Sequence, residues 1–240
     1  LQKMKPNLKI IVMSARTTLL TAVRAEKKGA FEYLPKPFDL DELLKLVSNT
    51  LLVQNTEINN FPSNNSSKSI YDSGPVIGKS SAMQEIYKKI SRIVNTDLSV
   101  LISGESGTGK KLIAKSIHDL SMSNNKIFLI LNIQFFDNYK FEELIKKFKD
   151  FTSNSIKSIE DLSGSSIYIK NVTESTSSEQ KNFLNFLETD LTQLTVNNRK
   201  FIKPRIFVST KSNIYNDVAK GIFREDLYYR LNVVPIKMPS

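Results

Sequence analysis

The sequence predicts an α/β protein in which a small unit with parallel strands precedes a larger unit of the same class. Short apolar runs alternate with stretches of helical periodicity, an order that is typical of parallel sheets. A glycine-rich loop stands between one such run and the helix that follows it. Residues 54–74, rich in Asn and Ser, separate the two alternating parts and indicate a flexible linker between them.

The first unit is predicted to cover residues 1–53. Its apolar run at 9–13 indicates a buried strand, residues 17–28 indicate a helix, and residues 31–34 indicate a second strand. Asp39 is placed to begin a final helix, because its side chain can accept hydrogen bonds from the free amides of a first helical turn. That helix has one apolar face, formed by Leu40, Leu43, Leu44, Val47 and Leu51.

The second unit is predicted to cover residues 75–240, and it repeats the alternation of strands and helices. The strands are expected at 98–102, 127–131, 166–169 and 205–208. The helices are expected at 80–93, 110–120, 141–149 and 178–190. Apolar strands between amphipathic helices predict a parallel sheet that is covered on both faces.

Composition limits the chemistry of this chain. It contains no cysteine, which excludes disulfides, thiolate metal sites and a cysteine nucleophile. The one histidine, His118, does not favour a metal site or a Ser-His triad, and we expect it to be a packed helix residue. The sequence shows neither an apolar run of the roughly 18 residues that a membrane span needs nor a secretory leader. We therefore expect no membrane partner and a cytoplasmic location.

The formal net charge of +10 allows two interpretations. The functional one is attraction to nucleic acid or another polyanion. The compositional one is heavy use of Lys, Asn, Ile and Ser throughout, as AT-rich coding DNA would produce. The lysines are scattered instead of forming one stripe, which favours the compositional interpretation.

The pattern G-x-x-x-x-G-K follows the strand expected at 98–102, and the helix expected at 110–120 begins at its final lysine. Its members are Gly104, Glu105, Ser106, Gly107, Thr108, Gly109 and Lys110. The glycines let successive backbone N–H groups turn toward phosphate oxygens. The N-terminus of the helix adds further free N–H groups, whose partial positive charge also attracts phosphate. Lys110 supplies a mobile positive charge for the outer phosphates. The loop predicts a site for ATP or a related nucleotide.

Lys111 departs from the usual form of this loop. Many phosphate loops have Ser or Thr at this position, where the hydroxyl holds magnesium. A protonated lysine cannot ligate a metal. We therefore expect ATP as the ligand, and we expect the site to disfavour Mg²⁺.

The loop from Gly104 to Lys110 resembles the nucleotide loop of the AAA+ domain in NtrC-type activators of sigma-54 RNA polymerase. Residues 221–233 match the family pattern G-x-F-R-x-D-L-Y-Y-R-L-N-V. Val76 and Ile77 resemble the segment that opens this domain beside the adenine. The resemblance implies a P-loop AAA+ parallel-sheet core, with ATP as cofactor and sigma-54 RNA polymerase as partner.

Arg224 and Arg230 belong to the second matching stretch. The resemblance implies that they reach the nucleotide of a neighbouring subunit as trans-acting arginine fingers, and it therefore implies a homo-oligomer. An ion pair within the chain, with Glu225 or Asp226, is the alternative.

The first unit resembles the last part of a response-regulator receiver domain, which has a flavodoxin-like fold. Residues 11–15 and 29–38 carry this resemblance. It implies that Ser14 and Lys36 contact an aspartyl phosphate, that Tyr33 is the switch aromatic, and that a sensor histidine kinase is a partner. Simple packing at the strand ends is the alternative for these three residues.

Some positions depart from the family pattern where catalysis would take place. The family's third strand ends in Asp-Glu, which position magnesium and polarise the attacking water, but Lys170 and Asn171 stand here. Lysine repels a cation, and asparagine cannot act as a general base. Glu174 could take over only with a shifted backbone. In the sensor strand Thr210 is kept, but Lys211 replaces the usual Asn.

The family's sigma-contacting loop, G-A-F-T-G-A, is not matched, because no glycine occurs between Gly109 and Gly164. The receiver resemblance begins at its fourth strand. The chain begins at Leu1 and stops at Ser240, before the family's helical lid and helix-turn-helix domain, so DNA contact is expected only through a domain outside this sequence. A fragment of a longer gene product and a decaying gene remain as two explanations.

Three functions remain open at this point. The one we expect is a nucleotide-binding transcriptional regulator of the two-component type, in which hydrolysis is impaired. The others are an active AAA+ ATPase that remodels sigma-54 polymerase, and a non-catalytic module whose bound nucleotide shapes a subunit interface. Lys170 and Asn171 separate the last two, because they argue against turnover and leave nucleotide binding intact.

Overall fold

The computed structural model describes residues 8–15, 18–52, 80–121, 123, 126–137, 159–189, 195–196, 199–200, 202–211 and 213–239. The chain divides into two compact units, Leu1–Val94 and Asn95–Ser240. The predicted linker at 54–74, the predicted helix at 141–149, and both Val76 and Ile77 lie outside the described residues. The predicted α/β class is confirmed in both units.

The described residues of the first unit form two parallel strands and three helices. These are β1 (Ile11–Ser14), α1 (Leu19–Lys27), β2 (Glu32–Pro35), α2 (Leu40–Leu52) and α3 (Ser81–Ile93). Strands β1 and β2 pair in register from Ile11 with Glu32 to Ser14 with Pro35. Thr18 begins α1 by accepting from the amide of Thr21, as expected for a residue with a short hydroxyl side chain.

Helix α3 packs against α1, and its contacts group it with the first unit. Ser80 caps it, and a buried face that includes Ile86, Tyr87 and Ile90 follows at helical spacing. The sequence placed this helix at the start of the second unit. The boundary at residue 75 therefore marks a change of sequence pattern, whereas the contacts change after Val94.

The apolar face predicted for α2 is largely exposed among the described residues. Leu40, Leu44 and Leu51 are 69%, 55% and 65% exposed. The periodicity predicted the helix correctly, since α2 begins at Leu40 and ends at Leu52. Periodicity specifies which residues share a face, but it does not specify what covers that face.

The second unit is built on a parallel sheet of five strands. The strands are β3 (Val100–Ser103), β4 (Phe128–Asn132), β5 (Ser166–Lys170), β8 (Arg205–Thr210) and β9 (Val234–Lys237), in the order β4-β5-β8-β3-β9. A separate antiparallel pair consists of β6 (Thr195–Val196) and β7 (Arg199–Lys200). The four predicted strands are confirmed, each shifted by no more than two residues at an end, and β9 is an additional strand.

Four helices accompany this sheet in the described residues: α4 (Lys110–Leu120), α5 (Ser177–Glu188), α6 (Ile214–Ala219) and α7 (Glu225–Leu231). Every residue of β8 is buried, and so are the first four of β5, because a parallel sheet is covered on both faces. Within the described part of the chain, no helix has the length and apolar content that crossing a membrane requires.

His118 is a packed residue of α4, as predicted. It is buried, and its two ring nitrogens lie 2.8 Å from Ser166 Oγ and 3.1 Å from the carbonyl oxygen of Lys126. A carbonyl can only accept, so Nε2 carries the proton, and the neutral ring accepts from Ser166 through Nδ1. Burial and the nearby positive charge of Lys115 lower the pKa of His118.

Candidate functional site

The glycine-rich loop connects β3 to α4 at the carboxyl end of the sheet. Gly107 and Gly109 have φ angles of 87° and 85°, a region that side chains other than glycine rarely enter. Gly109 is the residue before α4, so the loop leads directly into the free amides of the helix. This is the geometry in which backbone N–H groups can surround an anion.

Gly104 starts the loop in a confined position. Its amide donates to the carbonyl oxygen of Thr210 at 3.2 Å, and the amide of Met238 donates to Ser103 at 2.8 Å. A Cβ atom on Gly104 would lie 2.8 Å from the Cβ of Met238. Glycine is therefore required here by packing against the segment after β9, a contact that the sequence pattern did not reveal.

Lys110, the first residue of α4, folds back over the loop. Its ammonium donates to the carbonyl oxygen of Gly104 at 2.7 Å and also to that of Glu105. Partial burial, together with the positive charge of Lys211, lowers its pKa. Thr108 further ties the loop to itself, because its hydroxyl donates to the Glu105 carbonyl at 2.9 Å. The side chains of Glu105, Ser106 and Lys111 are exposed.

The other four strands of the parallel sheet end at the same edge as the loop. Lys170 is the last residue of β5, and Lys211 follows Thr210 at the end of β8. Because β3, β5 and β8 are parallel, their carboxyl ends meet here, although the residues lie far apart in sequence. Lys237 ends β9 at this edge as well, so Lys110 is joined there by three other lysines.

Glu174 is the carboxylate that comes close to this edge. It accepts from Lys211 Nζ at 2.8 Å and from Asn171 Nδ2 at 3.1 Å. The hydrogen bond and charge of Lys211, joined by the hydrogen bond from Asn171, hold the pKa of Glu174 below its ordinary value. The carboxylate thus stays ionised, and both of its oxygens have partners.

Asn171 itself adopts a left-handed conformation with a φ of 50°, which asparagine tolerates better than most residues. Its amide donates to Ser209 Oγ at 3.4 Å, and the hydroxyls of Thr173 and Thr210 are 3.2 Å apart. These contacts hold the turn after β5 against the end of β8. The sequence singled out Asn171 and Glu174, but it did not show that Lys211 would join them.

Metal ligands are sparse around this edge. Across the described residues, no three His, Cys, Asp or Glu side chains gather into a group that could hold a metal ion. Near the ends of β5 and β8, the Glu174 carboxylate is already ion-paired, and the hydroxyls of Thr173 and Thr210 lie 3.2 Å from each other.

The two arginines of the second motif make contacts within the chain. Arg224 forms a two-bond pair with the Asp226 carboxylate, at 3.0 Å and 2.7 Å. This is the intrachain alternative considered from the sequence. Arg230 donates to the carbonyl oxygen of Leu187 at 3.2 Å and lines a cleft with Ser99, at the start of β3. Since the loop follows the other end of β3, Arg230 lies at the edge of the sheet opposite to the loop of its own chain.

The three residues predicted as the receiver switch lie close together in the first unit. The amide of Lys36 donates to the carbonyl oxygen of Ser14 at 2.8 Å, which closes the end of the β1–β2 pair. Tyr33 is buried, and burial raises the pKa of its hydroxyl, while a hydrogen bond with Ser14 opposes the shift. Ser14, at the carboxyl end of β1, thus contacts both Tyr33 and Lys36.

Comparison with known families and proteins gives a consistent result. The model of the sigma-54 interaction domain matches residues 76–237. The DNA-binding transcriptional regulator NtrC of Azospirillum brasilense is 39% identical over 246 residues, which cover 100% of this chain and 50% of that protein. The NtrC of Bradyrhizobium sp. (strain RP501 Parasponia) is 36% identical with the same coverage.

Among solved structures, the chain is similar to NtrX from Brucella abortus in complex with ATP. The two share 27% identity and a TM-score of 0.53 over 100% of this chain and 54% of that one. The chain therefore spans about half the length of the relatives that it matches. The resemblance drawn from the two sequence motifs is confirmed, and so is the AAA+ type of the parallel sheet.

Proposed function

Because the chain belongs to the family of the sigma-54 interaction domain, we propose that its second unit binds ATP through the loop from Gly104 to Lys110. The single observation that carries this proposal is the geometry of that loop. Two glycines in the left-handed region, an exposed loop and a lysine folded over its carbonyls precede a helix N-terminus. The ATP complex of Brucella abortus NtrX supports ATP as the nucleotide.

We place the chain in a transcriptional regulator of the two-component type. The NtrC relatives cover its whole length, including the first unit with Ser14, Tyr33 and Lys36. A phosphorelay from a sensor histidine kinase would then act on the first unit, and sigma-54 RNA polymerase in the cytoplasm would be the target.

Hydrolysis is proposed to be impaired. Lys170, the last residue of β5, and Asn171 occupy the positions where the family has its two catalytic acids. The nearby carboxylate of Glu174 accepts a hydrogen bond from Lys211. A carboxylate with a lowered pKa is a weaker base for the removal of a proton from water. Binding without turnover is what a nucleotide-gated assembly module requires, and this is the second candidate function.

Arg230 supports the assembly module. Arg230, on α7, lines a cleft with Ser99, the residue just before β3, whereas the loop of its own chain follows the other end of β3. It can therefore act on a nucleotide only across a subunit boundary. Arg224 would have to leave Asp226 to do the same, and that pair is exposed and therefore weak.

The test is an equilibrium titration of ATP by calorimetry. Lys110→Ala should weaken ATP binding by about tenfold or more, since a charge-assisted contact contributes roughly 1.5–3 kcal/mol. Lys181→Ala is the matched control, because it removes an exposed lysine from the middle of α5. Equal affinity of the parent and Lys110→Ala, with both chains folded by circular dichroism, would overturn the proposal.

A further inference from the structure

We infer that this site holds its nucleotide without a divalent metal, and that Lys170 and Lys211 supply the positive charge that a metal would bring to the phosphates. The inference rests on the nucleotide binding proposed above and specifies its electrostatics. It also assigns a role to two lysines that the phosphate-loop motif does not include.

The placement of the lysines is the first step. Lys170 ends β5, Lys211 follows β8, and Lys110 begins the helix after β3. Parallel pairing brings the ends of these three strands to one edge, at the mouth of the loop. Lys170 is exposed, and Lys211 is about half exposed, so the side chains of both lysines can extend toward a phosphate.

The second step is the mutual effect of these cations. Lys211 is close enough to Lys110 for its positive charge to contribute to the lowered pKa of Lys110. Like charges at this spacing repel each other unless an anion lies between them. A polyphosphate would relieve that repulsion, whereas an added divalent cation would increase it.

The third step is the poor fit of a metal. Magnesium requires oxygen ligands, commonly carboxylates, in near-octahedral geometry. Lysines occupy the positions after the loop and at the end of β5, and the Glu174 carboxylate already accepts from Lys211 and Asn171. A metal would have to displace an ammonium from Glu174 and then remain among the other lysines.

Counting charges gives the same result. The loop, the residue after it and the ends of β5, β8 and β9 carry five lysines and two glutamates: Lys110, Lys111, Lys170, Lys211 and Lys237, with Glu105 and Glu174. The excess of three positive charges is more than the charge of one magnesium ion. The ion pair of Lys211 is exposed, and exposed pairs are weak, so its ammonium can turn from Glu174 to a phosphate.

The experiment measures the dissociation constant of ATP for the whole chain by calorimetry, once with excess MgCl₂ and once with EDTA. We expect binding in EDTA to be as tight as in magnesium, or tighter. A dissociation constant at least about tenfold higher in EDTA than in magnesium would overturn the inference, while the proposal that the loop binds ATP would still hold. Absence of binding in both buffers would overturn the proposed function together with the inference.

Two variants locate the effect. Lys211→Asn should weaken binding in EDTA by about tenfold, as expected for loss of a charge-assisted contact, and by less in magnesium. Lys170→Asp combined with Asn171→Glu should make binding tighter in magnesium than in EDTA. Lys181→Asn removes an exposed lysine of α5 and should leave the ratio of the two constants unchanged. If Lys211→Asn binds in EDTA as the parent does, the assignment to this residue is wrong.

Discussion

Lys211 and Glu174 form an ion pair of 2.8 Å, between Nζ and Oε1, at the edge of the sheet that carries the phosphate loop. The pair joins the turn after β5 to the end of β8, and Asn171 adds a hydrogen bond to the other carboxylate oxygen. Glu174 is an acidic residue close to the positions where the family has its two catalytic acids. Its pKa is lowered, which makes it a weaker base, and both of its oxygens accept hydrogen bonds.

We therefore predict that the chain has no magnesium-dependent ATPase activity above background, even at high protein concentration. General-base assistance is commonly worth about 10²–10⁴ in rate, and Asn171 cannot supply it. Phosphate release, followed with a coupled assay, is the measurement. Robust turnover by the parent that Lys110→Ala abolishes would show that Glu174 or another residue performs this step.

Restoring both acids provides the complementary test. Lys170→Asp with Asn171→Glu should raise phosphate release only if Arg224 and Arg230 assemble between subunits. The double variant should also be less stable, because Asn171 has a φ of 50° and other side chains in that region cost roughly 1–2 kcal/mol. Thermal unfolding measures this cost, and an unchanged midpoint would mean that the turn after β5 rearranges.

Gly107 and Gly221 form a matched pair for testing the loop. Both have positive φ angles, 87° and 70°, and an added Cβ would meet no atom within 4 Å at either position. Alanine should therefore cost about 1 kcal/mol of stability at both, from backbone strain alone. Only Gly107→Ala should also weaken ATP binding, which calorimetry would detect. Equal loss of binding in both variants would trace the effect to stability.

His118 should make the stability of the chain sensitive to mild acid. The pKa of His118 is lowered in the folded protein from its ordinary value of about 6.5. As the pH falls through that value, the unfolded chain therefore takes up the proton before the folded chain does. Stability should therefore fall as the pH drops from about 7.5 to about 5.5, a window above most carboxylate titrations. Urea unfolding at both values measures it. His118→Gln, which cannot titrate, should show a smaller drop, and an equal drop would assign the effect to other groups.

Amide exchange should differ between the two units. Strands β1 and β2 pair only with each other among the described residues, whereas β3 lies between β8 and β9. A two-stranded pair is marginal without further strands, so we predict rapid exchange at residues 9–34 and slow exchange at 98–131. Hydrogen exchange followed by mass spectrometry is the measurement. Strong protection throughout 9–34 would contradict this prediction.

Much of the fold was predictable because its signals are local. The helix predicted at 110–120 is α4 with both ends correct, and the strand predicted at 205–208 covers the first four of the six residues of β8. Glycine spacing identified the loop, since the left-handed angles of Gly107 and Gly109 require that residue. Strand β9 was missed because Val234–Lys237 is short and contains a proline, which weakens a strand signal.

The sequence by itself determined the family, the glycine-rich loop between β3 and α4, the departures from the family pattern at Lys170 and Asn171, and the packed state of His118. Each of these follows from residue type and close spacing along the chain. Only the tertiary structure decided that Lys211 pairs with Glu174, 37 residues away, and that Met238 confines Gly104. The physical reason is that parallel strands are joined by long connections, so the residues that meet at their carboxyl ends are set by strand order, which a local pattern does not contain.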